Sequence, residues 1–258
     1  MPIYQAVVLG IVQGLTEILP VSSSGHLILV PAFLGWPAHS LSFDAALHLG
    51  TAFALLAFFA KDWIAFFRER RWGTIGAIVL ASIPVGLIGL IGSDVIEQSF
   101  RGPALVAGAL IGVAVLMLAG ERWYRKSKSK SKREDLEKSD IFAIALAQAL
   151  ALVPGVSRSG ITILTGMGRG LTRETAARFS FLISLPIVFA AGLWELFSVY
   201  REGVLANEGA AFAVGILVSF GVGLVAIRLL FKVLKRYSLV PFAIYRIAMG
   251  ILILITVV

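Results

Sequence analysis

The apolar residues of this chain arrive in blocks about as long as a bilayer is thick, and no other feature limits its folding choices as much. Uninterrupted blocks fall at roughly 41–60, 74–92, 103–120, 179–199, 210–230 and 239–258. Each is close to the ~20 residues with which a helix crosses the hydrocarbon core. They are continuous blocks, not amphipathic stripes. With 58% hydrophobic residues and only 15% charged ones, the chain cannot cover a soluble surface of this size. The expected class is an all-α polytopic membrane protein. There is no cysteine, which removes disulfides, thiolate metal sites and cysteine nucleophiles together.

Two further apolar segments are too short to span. Tyr4 to Leu19 ends at Pro20, and Ile141 to Val153 ends at Pro154; each then runs through Ser and Gly into a brief second apolar piece. This pattern predicts re-entrant helical hairpins over 4–34 and 141–170. Broken backbone at membrane depth is tolerated only where protein or a wet cavity satisfies it. The absence of Lys or Arg before Lys61 argues against a cleaved signal peptide, which needs a basic start.

Position matters more than sum for the +8 net charge, which is read as membrane orientation and not as affinity for nucleic acid. Segments 61–73, 121–140, 169–178 and 228–236 hold 4, 8, 3 and 4 Lys or Arg, against one each at 93–102 and 200–209. The basic loops are therefore expected in the cytoplasm, with both termini outside. The first hairpin then enters from outside and the second from the cytoplasm. The run "RKSKSKSKRED" reads as a solvated linker, 121–140.

That linker divides a weak internal repeat. A shift of 135 matches Gln13 to Gln148, Val21 to Val156, Ser22 to Ser157, Ser24 to Ser159 and Gly25 to Gly160. Shifts of 137 and 138 match Ser82 to Ser219 and Pro103 to Pro241. Residues 1–120 and 141–258 are thus expected to be two repeats, each a re-entrant hairpin plus three transmembrane helices. Three crossings make the second repeat inverted. Broken segments at matching positions of inverted halves are expected to meet near the midplane, where a site would form.

The broken segments carry the polar chemistry. "EILPVSSSGH" holds an acid, three serines and a histidine, and "VPGVSRSGIT" adds an arginine. Gln13 and Glu17 are four apart and share a helix face. Ser22, Ser23 and Ser24 can cap the returning helix, whose N-terminus suits an anion such as phosphate. Arg158 offers a planar fork for two phosphate oxygens, and Ser157, Ser159 and Thr162 offer hydroxyl donors. His26 is a candidate proton carrier or nucleophile, with Glu17 orienting it. Arg246 is read instead as structural, with Glu195 or backbone carbonyls as partners, and Asp44 and His48 as ordinary interfacial groups near a span end.

The stretches "QGLTEILPVSSSGH" and "PGVSRSGIT", in this order and this far apart, resemble the two signature regions of the undecaprenyl-diphosphate phosphatase family. The similarity extends through the span pattern and the placing of the linker. It implies removal of the terminal phosphate from undecaprenyl diphosphate in the bacterial cytoplasmic membrane, and the charge placement puts the site on the outer face. It places the family's functional Ser on Ser23, its His on His26 and its Arg on Arg158. Ser23 is then the expected nucleophile, with His26 taking its proton; direct attack by His26 or by water is the runner-up. Gln13 stands where some relatives have a second acid. A protein-built metal cage is weakened by that, although Mg²⁺ or Ca²⁺ could bridge Glu17 and the diphosphate. Expected partners are a long-chain polyprenyl diphosphate and the membrane, with no nucleic acid; a homodimer is compatible with the chain. The rival reading is a polyprenyl-phosphate flippase, because inverted repeats with broken helices are usual in transporters.

Overall fold

The computed structural model describes residues 1–100, 102–126 and 132–256, and among them it is helical with no strand beyond one isolated bridge between Arg133 and Leu171. The first half comprises α1 (Ile3–Thr16), α2 (Ser23–Leu34), α3 (Leu41–Phe58), the short α4 (Ala60–Arg68), α5 (Trp72–Ser99) and α6 (Pro103–Lys126). The second comprises α7 (Lys138–Ala149), a 3₁₀ turn at Leu150–Leu152, α8 (Arg158–Gly168), α9 (Arg173–Arg201), α10 (Leu205–Arg236) and α11 (Val240–Thr256).

Helices α3, α5, α6, α9 and α10 are long and apolar enough to cross a membrane. The sixth expected span, 239–258, is α11, with 17 residues described. The four hairpin helices have only 14, 12, 12 and 11 residues, so even the longest reaches about 21 Å against a ~30 Å core. Several helices overrun their expected spans: α5, α9 and α10 cover 72–99, 173–201 and 205–236 against 74–92, 179–199 and 210–230. α6 continues past Gly120 to Lys126, because Glu121 is 1% exposed and is held by Arg173 through both oxygens, at 2.8 and 2.6 Å, and by the Leu239 N–H at 2.9 Å. The other end of the expected linker is anchored at Arg133 and Asp140, while 134–139 between them stay exposed. Arg133 exchanges backbone hydrogen bonds with Gly170 and Thr172, and its guanidinium meets Asp140. Burial alone would raise the Asp140 carboxyl, but the Glu137 N–H, Arg169 and Arg133 hold it below the usual range. Residues 127–131, the centre of that linker, lie outside the described residues.

These contacts gather the basic segments at one end of the bundle. Glu121 joins α6, α9 and α11; Asp62 pairs with Arg178, joining α4 to α9; and Lys235 reaches Glu174 at 3.6 Å.

The two halves find matching partners in one another. α1 packs on α10 as α7 packs on α5, and α3 packs on α10 as α9 packs on α5. α3 meets its counterpart α9, and α6 meets α11. One hydrogen bond occurs twice: Ser219 donates to the Leu47 carbonyl at 2.8 Å, and Ser82 to the Ile183 carbonyl at 2.7 Å. Small residues allow the approach. A Cβ added to Gly50 would lie 2.0 Å from Ser219 Oγ and 2.4 Å from the Ile216 carbonyl, so α3 and α10 touch through backbone there.

Gly50→Val should therefore push α3 off α10 and destabilise the protein by about 1–3 kcal/mol, the usual cost of overpacking. Thermal melting in detergent checks this. Gly112→Ala, where nothing lies within 4 Å of the added carbon, should melt like the parent.

Candidate active site

Both hairpins break in the same way. α1 ends at Thr16, the chain turns through Pro20, and Ser22 takes φ 76° and ψ 96° before α2 begins. Between α7 and α8, Ser157 takes φ 71° and ψ 111°. This is the left-handed side of the map, uncommon for any residue with a Cβ. Gly155 also has positive φ, and a Cβ on it would meet the Val106 carbonyl at 2.6 Å. Capping is unequal. Ser157 Oγ accepts from the Gly160 N–H at 3.2 Å, whereas the Ser22 side chain makes no such bond.

Arg246 of α11 ties the two breaks together. It is fully buried, and its Nη1 donates to the Pro20 carbonyl at 3.3 Å while Nη2 donates to Gly155 and Val156 at 2.8 and 3.1 Å. Its Nε reaches Leu110 at 3.3 Å. Backbone carbonyls are thus its partners, and Glu195 takes Ser42 instead, at 2.6 Å. Ser159 Oγ adds a second tie, donating to the Glu17 and Leu19 carbonyls.

Between the tips opens a cavity of about 460 Å³. Ser22, Ser23 and Ser24 line it from one tip, with Ser157 and Arg158 from the other. Since α2 starts at Ser23 and α8 at Arg158, two helix N-termini lie at this cavity, an arrangement that favours an anion. Val85, Leu152, Ile187 and Val188 give it an apolar wall.

Glu17 is the hub. Its Oε1 receives Arg158 Nη2 at 2.5 Å, and its Oε2 receives Ser23 Oγ at 2.6 Å. His48 Nε2 stands 3.3 Å from the same Oε2, and Gln13 Nε2 stands 3.5 Å from it. The carboxylate is already shared by four neighbours. Among the described residues no group of three or more His, Cys, Asp or Glu could hold a metal ion. Gln13 supplies no second carboxylate. The donor set does not fit a protein-built Mg²⁺ or Ca²⁺ site.

The family model for "Bacitracin resistance protein BacA" matches residues 6–252. The chain belongs to this family. It is 47% identical to an undecaprenyl-diphosphatase of Rubrobacter xylanophilus, covering 96% of each chain. Against the undecaprenyl-diphosphatase of Geotalea daltonii identity is 42%, over 99% of this chain and 98% of the relative.

Of the residues singled out from the sequence, Glu17, Ser23 and Arg158 lie in contact beside the cavity. Ser22, Ser24 and Ser157 also line the cavity. Three expected substrate-binding residues do not. Gln13 is fully buried behind Glu17, between it and Thr51. Ser159 ties the tips, and Thr162 bonds the Arg158 carbonyl and Ser180 Oγ. His26 departs furthest from expectation. Its Nδ1 is 2.7 Å from the Ser22 carbonyl and its Nε2 is 2.6 Å from Tyr245 Oη, with the two rings stacked. Its two ring nitrogens bond neither Glu17 nor Ser23. The histidine on Glu17 is His48. An ionisable residue inside an apolar span is a functional flag by itself, and that flag, set against the span-end reading, was the signal for it.

Replacing Arg246 by Met keeps the bulk but leaves the carbonyls of Pro20, Gly155 and Val156 unpaired, each at about 1–3 kcal/mol. The variant should melt well below the parent and lose activity with it. A parent-like melting temperature would mean that the breaks hold without the guanidinium.

Proposed function

We propose that this chain is an integral membrane phosphatase that converts undecaprenyl diphosphate to undecaprenyl phosphate and inorganic phosphate, recycling the lipid carrier for cell-wall synthesis. The observation that carries the reading is the Ser23–Glu17–Arg158 cluster at a cavity with two helix N-termini and an apolar wall, in a chain of the BacA family. The polar end suits a diphosphate and the wall suits the first isoprene units.

Ser23 is the nucleophile. Its hydroxyl donates to Glu17 Oε2 at 2.6 Å, so Glu17 is the group placed to take the proton as Oγ attacks the terminal phosphorus. Arg158 and the N–H groups at the start of α2 and α8 hold the charge that spreads over the equatorial oxygens. Arg158 bonds Glu17 before substrate arrives, which keeps both charges compensated. His26 is better suited to hold the tip. Its Nδ1–H fastens the Ser22 carbonyl, and Ser22 sets the strained turn that presents Ser23.

The cavity is lined by the first turns of α3 and by 187–192 of α9, away from the end where the basic segments gather. With those segments in the cytoplasm, the site faces the outer side of the bacterial cytoplasmic membrane.

Purified protein with labelled polyprenyl diphosphate should release phosphate and, on rapid quenching, carry an acid-stable label on Ser23. Label that is lost in acid but not in base would move the nucleophile from Ser23 to a histidine. Arg158→Lys keeps the charge but loses the fork, and turnover should fall about 100-fold, the scale for losing one transition-state donor. If the parent leaves polyprenyl diphosphate intact under all metal conditions, the phosphatase reading fails and the flippase reading gains.

Sidedness has its own test. A cysteine in place of Ser40 should react with an impermeant thiol reagent on intact spheroplasts, and one in place of Ser129 should not. The reverse pattern would turn the site inward.

A further inference from the structure

Two histidines lie near the first tip, and their hydrogen bonds set them apart chemically. In both, Nδ1 faces a backbone carbonyl, Ser22 for His26 and Asp44 for His48, each at 2.7 Å. A carbonyl only accepts, so Nδ1 carries a proton in both rings. In neutral imidazole Nε2 is then an acceptor. His26 Nε2 meets the hydroxyl of Tyr245, which can donate, so that ring is satisfied as a neutral group. His48 Nε2 meets a carboxylate oxygen of Glu17, which is a second acceptor. Two acceptors 3.3 Å apart need a proton between them.

We propose that Glu17 and His48 form a proton-sharing pair in which Glu17 exchanges protons with Ser23 while His48 exchanges them with the departing and attacking oxygens. This rests on Ser23 as nucleophile. Glu17 is already bonded to Ser23 on one side and faces His48 on the other, and the His48 side chain is 27% exposed, lining the cavity. The pair therefore reaches the nucleophile and the cavity at once.

The protons balance. In the first step the Ser23 Oγ–P bond forms and the anhydride P–O bond breaks, with its electron pair going to the lipid phosphate. Glu17 takes the Ser23 proton and His48 gives its proton to that leaving phosphate, so the pair still holds one. In the second step water attacks the phosphoserine and the Oγ–P bond breaks. His48 takes a proton from the water and Glu17 returns one to Ser23 Oγ, releasing inorganic phosphate. The pair ends as it began, and no outside base is consumed.

The charged and titratable groups facing His48 are few. Glu17 comes from the end of α1, Arg158 from the start of α8 and Asp44 from its own helix one turn back. From α9 the cavity wall brings Ile187, Val188, Ala191 and Gly192, and Glu195 is engaged with Ser42. Asp44 carboxylate meets His39 at 2.5 Å.

His48→Gln retains a side-chain N–H donor for Glu17 but cannot give up a proton. In detergent its kcat should fall about 100-fold, the lower scale for losing an acid–base group, with KM within a few-fold of the parent. A kcat within threefold of the parent overturns the proposal. His48→Ala should regain turnover when imidazole is added, and methylated imidazoles should restore it in order of basicity. Equal rescue by imidazole and by a weakly basic triazole would make the ring a space-filler and also overturn the proposal. Parent enzyme assayed alongside separates the two levels of inference. An inactive parent, or a parent without label on Ser23, refutes the underlying reading, whereas an active, labelled parent with an unimpaired His48→Gln refutes only the proton pair.

Discussion

Backbone carbonyls interrupted at membrane depth have no water to turn to, and the site exists because one side chain answers two interruptions at once. Arg246 bonds the Pro20 carbonyl at the first break and the Gly155 and Val156 carbonyls at the second. Each carbonyl left unsatisfied there would cost about 1–3 kcal/mol. A guanidinium can serve them together because its donors are fixed in a planar fork, which a lysine cannot reproduce. The arrangement fixes geometry as well as energy. Two tips from opposite halves of the chain must face one another around α11, and the space left between them is the cavity.

Within that frame the two tips share a backbone turn but not their side chains. Ser22 and Ser157 adopt nearly the same strained conformation 135 positions apart. One residue later the chain places Ser23 in the first tip and Arg158 in the second. Glu17 and His26 have Leu152 and Ile161 as their counterparts. Carrying Ser23 on one tip and Arg158 on the other gives each side chain its own rigid support. A site built from one hairpin would need both in the same few residues.

Much of this was legible because the signals are local. Proline, serine and glycine inside short apolar runs marked the breaks, and charge placement marked the loops now found bonded together through Glu121 and Asp62. Arg246 was readable as structural because backbone carbonyls were available to partner it. What escaped depends on contacts between distant positions. His26 and Tyr245 are 219 residues apart, so nothing near His26 shows that its Nε2 is occupied. His48 reads as a residue near a span end until α3 is packed beside α1, where it meets Glu17. Gln13 and Thr162 sit in motif positions that look like ligand donors, and folding spends them on Thr51 and Ser180. The linker was too generous for a related reason: the buried Glu121 finds its partners on α9 and before α11, far along the chain.

The strain at Ser22 connects these levels. A non-glycine residue in this region costs of order 1–3 kcal/mol and persists only where its surroundings fix it. Here the carbonyl of Pro20 is held by Arg246 and that of Ser22 by His26, so the turn is pinned on both sides. Relaxing Ser22 would swing the peptide that begins α2 and carry Ser23 away from Glu17, breaking the 2.6 Å bond that readies its hydroxyl. His26 and Arg246 thus bear on where Ser23 points without lining the cavity, through the backbone turn that they pin. The hydroxyl, the carboxylate and the two helix N-termini are brought into register before any lipid arrives, which is where preorganised sites gain over water.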